Sequence, residues 1–186
     1  TTGTQTYGDT AASDTITLGN GTTLTTTNAQ VTFNGTVNAE ASEANALTLS
    51  VGTSEVEFNG AVGGGTNGSL GAISITGALD LNAAITSASS LSVSTTSDLG
   101  ANVTTSGTQT YTGAVTLSGG TRTLTGSTIT TNGTLAGGTN SLTITGNAVF
   151  GDGTTDTVTG VNVLSVSGNT TIHTNTITTT GTQNYG

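Results

Sequence analysis

Runs of four to six residues in which Val, Ile, Leu or Ala alternates with Thr or Ser recur along the whole chain. They lie at 15–18, 30–33, 46–51, 114–117, 141–145 and 161–166, among others, with Asn-Gly and Gly-rich pieces between them. Alternation with period two places one side of each run against a core and the other in solvent, which is the signature of a β-strand. β-branched Val, Ile and Thr are stiff at χ1 and favour a pleated surface. Asn-Gly and Gly clusters supply the backbone freedom that tight corners need. No 3.6-residue periodicity competes with this pattern, so the chain is expected to be all-β.

A longer repetition lies over the short one. The phrase Thr-Thr-Gly-Thr-Gln-Thr-Tyr-Gly occupies 1–8, returns as Thr-Ser-Gly-Thr-Gln-Thr-Tyr-Thr at 105–112, and closes the chain as Thr-Thr-Gly-Thr-Gln-Asn-Tyr-Gly at 179–186. All three tyrosines, Tyr7, Tyr111 and Tyr185, fall at one place in it, two residues after Gln5, Gln109 and Gln183. Behind the phrase, 15–22 aligns with 114–121, 31–37 with 129–135, and 45–49 with 140–144. The chain therefore reads as an array: a first repeat module at 1–104, a second at 105–178, and the start of a third copy at 179–186. The tyrosines are 104 and 74 residues apart, so the first module carries extra sequence, placed at about 60–99.

Two architectures fit such an array. In a parallel β-solenoid (β-helix), strands 20–25 residues apart stack into roughly eight coils, and each coil buries its apolar residues on its neighbours. In the alternative, each module is one antiparallel β-sandwich and the modules are strung in tandem. Aromatic residues are only 3% of the chain and Pro is absent. A narrow solenoid needs few large side chains and wants every ladder N–H, so it is the preferred reading.

Composition excludes several functions. The formal net charge is −9 and Arg122 is the one Lys/Arg residue, so nothing is available to neutralise nucleic-acid phosphates. No apolar stretch approaches the length of a membrane-spanning helix. With no Cys and no Lys, neither disulfides nor Lys–Asn isopeptide bonds can staple the fold. Thr1 is not an initiator methionine, so a mature or excised segment is expected.

The phrases at 1–7, 31–37 (Val-Thr-Phe-Asn-Gly-Thr-Val), 113–117 (Gly-Ala-Val-Thr-Leu) and 141–152 (Ser-Leu-Thr-Ile-Thr-Gly-Asn-Ala-Val-Phe-Gly-Asp) resemble the repeat regions of very large bacterial surface proteins. These are of the filamentous-haemagglutinin-like and autotransporter adhesin type. The resemblance implies a secreted, frequently β-helical protein at the cell surface, working as a stalk or fibre. A non-enzymatic role is the preferred expectation. Identical copies meeting head-to-tail, or a longer array, are the expected partners, with the Gln–Tyr phrases at the junctions. A surface module that binds carbohydrate or a host surface is the alternative.

Individual residues add weaker candidates. Glu55 and Glu57 alternate with Val56 and Phe58, placing both carboxylates on one side of a strand, the pattern of a half-buried strand with a solvated face. Asp152 and Asp156, in Gly-Asp-Gly-Thr-Thr-Asp, are the calcium candidates, because Ca²⁺ takes carboxylate and backbone oxygens together. Asp beside Gly is equally ordinary turn chemistry, and no cofactor is otherwise expected. Asp9 with Asp14 is a looser pair. His173 stands alone, and Arg122, between two Thr, reads as an exposed strand residue. Six Asn-x-Ser/Thr triplets begin at Asn20, Asn34, Asn67, Asn102, Asn132 and Asn169, as expected in so Thr-rich a chain. Finally, runs such as 22–27 and 176–180 put alternate Thr on one face, and stacked ranks of Thr could order water and bind ice.

Overall fold

The computed structural model describes residues 1–9, 14–65 and 68–186. It is an all-β parallel solenoid: strand pairs upon strand in parallel, and no helix occurs among the described residues. The tandem-sandwich alternative would require antiparallel pairs, and none is present among the described residues.

Each coil has three sides, and the register fixes three columns of strands. On the first face, Gln5 is followed coil by coil by Val31, Val56, Leu79, Ser97, Val115, Leu135, Val158 and Ile177. On the second, Ile16 is followed by Val37, Val62, Ile85, Val103, Leu124, Ile144, Val166 and Tyr185. On the third, Leu24 is followed by Leu49, Ile75, Val93, Tyr111, Thr131, Phe150 and Ile172. At about 4.8 Å per rung, the stack is roughly 40 Å long. The inward residues of all three columns form one continuous core.

Small side chains suffice because each inward residue meets its counterpart directly above and below. The largest are used as ladders: Tyr7, Phe33 and Phe58 stack on the first face with centroids 5.2 and 5.1 Å apart, planes 18° and 13° from parallel. Offset stacks of this kind add about 0.5–1.5 kcal/mol per pair to the burial itself. Leu81, Leu99 and Leu117 continue the column.

The corner from first to second face shows why Asn-Gly recurs. Asn82 Nδ2 donates to Asn59 Oδ1 (3.0 Å), Asn59 Nδ2 to Asn34 Oδ1 (3.1 Å), and Asn34 Nδ2 to the Gly8 carbonyl (3.3 Å). Such an amide ladder ties the successive bends to one another at the surface. Gly60 follows because a Cβ there would run into the Gly35 carbonyl of the coil below.

The described residues of 1–104, 105–178 and 179–186 belong to this one stack, and strand pairing passes through both boundaries. The modules are related by a turn about the axis. Tyr7 stands on the first face, Tyr111 on the third and Tyr185 on the second. Every aligned segment shifts the same way: Ile16 is on the second face and Val115 on the first, while Leu47 is on the third and Leu142 on the second. Tyr7 to Tyr111 covers fourteen coil sides and Tyr111 to Tyr185 eleven, so the longer module holds one complete extra coil.

Candidate functional site

The three copies of the phrase build one local device on three different faces. A threonine hydroxyl closes the corner by donating to a glycine carbonyl two residues on: Thr1 to Gly3 (3.0 Å), Thr105 to Gly107 (3.0 Å) and Thr179 to Gly181 (2.8 Å). The Gln side chain then turns inward and donates from Nε2 to that same hydroxyl, at 3.0, 3.4 and 3.3 Å for Gln5, Gln109 and Gln183. The tyrosine two residues later lies on the same side of the strand and donates its OH to the Gln Oε1, at 2.8 Å for Tyr7, 3.0 Å for Tyr111 and 2.9 Å for Tyr185. The phrase is thus a corner closure followed by a self-satisfied polar pair.

What surrounds the pair differs among copies. Gln109 and Tyr111 are fully buried. Gln109 Nε2 also donates to the Thr125 carbonyl of the next coil (2.8 Å) and to the Val103 carbonyl of its own (3.3 Å). Gln5 keeps only the bond to the following coil, at Thr25 O (3.2 Å), and Gln183 only the one within its own coil, at Ile177 O (3.3 Å). Burial pushes the Tyr111 phenol far above its ordinary value, and lesser burial raises Tyr185 as well. Tyr111 can offer no platform to a ligand, and Tyr7 is stacked on Phe33.

The outer sides of the three faces carry different chemistry. On the first face Glu57, Asp80 and Asp98 stand in register on successive coils. Glu55 and Glu57 do share one side of their strand, and Gln30 Nε2 donates to both (3.0 and 3.2 Å). Ser118 Oγ donates to Asp98 (2.5 Å). Burial, reinforced by the charges of Asp98 and Glu57, outweighs a hydrogen bond from Asn82 and raises Asp80 above the usual carboxylate value. Sequence reading found the Glu pair but missed this row, because its members are joined by coil stacking. The available signal was the recurrence of an acid followed by a large apolar residue, at 57–58, 80–81 and 98–99.

The third face is uncharged. Thr23, Thr48, Ser74, Ser92, Thr110, Thr130, Val149 and Thr171 form its central outward rank. Thr25, Ser50 and Thr76 begin a second rank beside it.

The remaining candidates settle into turns. Asp156 Oδ2 accepts the N–H groups of Asp152 (3.2 Å) and Gly153 (3.0 Å), closing its own loop. No group of three or more His, Cys, Asp or Glu able to hold a metal exists among the described residues. Asp14 Oδ2 likewise accepts the Asp9 N–H (2.7 Å). His173 is exposed at the corner beyond Ile172. Five of the Asn-x-Ser/Thr triplets lie within the described residues, and Asn67 lies outside them. Arg122 departs from expectation. It is 9% exposed, because its side chain points inward on the second face rather than out of the strand.

Comparison with family models, with curated proteins and with solved structures finds no match for this chain.

Proposed function

We propose that this chain is a non-enzymatic structural repeat, forming the fibre or stalk of an extracellular bacterial surface protein of the adhesin type. The observation that carries this reading is the single core running in parallel columns from one end of the described chain to the other. Each coil is stabilised by its neighbours alone, so such a body lengthens by adding coils without redesign. The internal modules, offset by one face and differing by one whole coil, are what growth by duplication leaves behind. At the two ends of the stack the columns finish on Tyr7, Ile16 and Leu24 and on Ile172, Ile177 and Tyr185, which a further coil would cover. Copies, or modules of a longer chain, meet there end to end. Electron microscopy of a tandem of two copies should show rods about twice as long as those of one. Two separate globules per chain would overturn the stalk, and strictly monomeric particles at high concentration would overturn association between copies.

The paired hydroxyl ranks of the third face favour a second reading, ice binding. The hydroxyls named in the two ranks have no protein partner among the described residues, and no charge interrupts the central rank. Thermal hysteresis that disappears in Thr110→Tyr would establish it. Freezing behaviour identical to that of an inert protein would remove it.

A further inference from the structure

The corner between the first and second faces is tight in the second to fifth coils and then opens. From the last inward residue of one face to the central inward residue of the next, Phe33 to Val37, Phe58 to Val62, Leu81 to Ile85 and Leu99 to Val103 each span four residues; Leu117 to Leu124 spans seven. The added loop, Ser118-Gly119-Gly120-Thr121, wraps the side chain of Arg122. Below Arg122 the same inward position holds Ala101, and above it Leu142, so the side chain starts from an apolar column and carries its guanidinium to the loop.

Its hydrogen bonding is incomplete. Nε donates to the Ser118 carbonyl at 2.8 Å, and neither Nη has a protein acceptor or a carboxylate partner among the described residues. The backbone N–H groups of Gly119, Gly120 and Thr121 have none either. Gly119 (φ 67°) and Gly120 (φ 122°) hold the left-handed side of backbone space. A Cβ on them would stand 3.0 and 3.6 Å from Nη2. The loop is therefore drawn against the guanidinium by residues that only glycine fills without strain. The side chain is nine-tenths buried, yet its Nη atoms are not sealed from outside, so an external oxygen can reach and pair the charge. Unpartnered backbone amides next to a guanidinium fork are donors suited to an anion.

We infer that Arg122 and the 118–121 loop form a site for a small oxyanion, a singly charged carboxylate such as acetate or the carboxylate of a uronic acid. One charge is preferred to two because the chain carries a net −9 and Asp98 lies one hydrogen bond away, through Ser118. This inference is independent of the fibre reading.

The chain has a single Arg, so its side-chain NMR resonance needs no sorting. Titration of the intact chain with acetate should shift that resonance and the amides of Gly119, Gly120 and Thr121 saturably. Galacturonate should do the same, and sulfate should bind more weakly. Arg122→Lys keeps the charge without the fork and should weaken acetate about tenfold. Arg122→Leu, whose side chain matches Leu142 above it, should stay folded and abolish the amide shifts. Resonances that do not respond to acetate in the wild-type chain, or respond equally to chloride, would overturn the site. Tighter binding of sulfate than of acetate would overturn the carboxylate assignment.

Discussion

The middle and final copies of the Gln–Tyr phrase make the same local hydrogen bonds and stand in different surroundings. Gln109 and Tyr111 are sealed between coils, whereas Gln183 is exposed and Tyr185 only partly covered. Local sequence writes the corner and the side-chain pair. The energy stored in them depends on the neighbouring coil, because an unmade hydrogen bond is costly only where water cannot replace it.

The most severe test of that dependence is to remove coils. Ile73 stacks directly on Leu47, so deleting 47–72 takes out one full turn and leaves every later strand on its own column. The shortened chain should fold with the same circular-dichroism signature and a rod one rung shorter. Deleting only 47–58 removes a third-face and a first-face strand and should abolish cooperative unfolding; a normal melt would break the column model.

Next in size, Gln109→Ala strands the Tyr111 hydroxyl and removes the donor that Gln109 gives to the Val103 and Thr125 carbonyls, and should cost about 3 kcal/mol in denaturant unfolding. Gln183→Ala should cost about 0.5 kcal/mol or less. Equal losses would mean that the phrase is stabilised locally after all. Directly above Tyr111, Thr131 is buried with its hydroxyl unpartnered. Thr131→Val keeps the shape and removes the stranded group, and should gain about 1–2 kcal/mol.

Ionisation separates the copies again. A phenol whose folded value is raised leaves stability intact below the unfolded tyrosine value and lowers it as pH rises above. Tyr111 should therefore ionise only with unfolding, while Tyr185 ionises in the folded chain, later than a free tyrosine. Ultraviolet titration beside circular dichroism reads both events. The smallest effect is expected outside the core. Asp80 binds its proton more tightly folded than unfolded, so its charged form weakens the fold and acidification through its raised value strengthens it. Asp80→Asn should raise Tm slightly at neutral pH and not below the carboxylate range.

Much of this was legible in sequence. Alternation at 46–51 or 141–145 assigned inward and outward residues because period two is a property of consecutive residues. Asn34-Gly35 and Asn59-Gly60 marked corners because the backbone demands them there. Arg122 misled for an equally physical reason: between two Thr it looks like a surface residue, and only the widened corner explains its inward turn. The carboxylates of Glu57, Asp80 and Asp98 became one row only through stacking, over separations of 23 and 18 residues.

By itself, then, the sequence determined that the chain is β throughout, where it bends, and which side of each strand is buried. Which face each strand occupies was decided by the tertiary structure. That assignment depends on the summed lengths of all preceding corners, and no local pattern carries a sum. So three near-identical phrases end on three faces, one sealed in the core and one open to solvent.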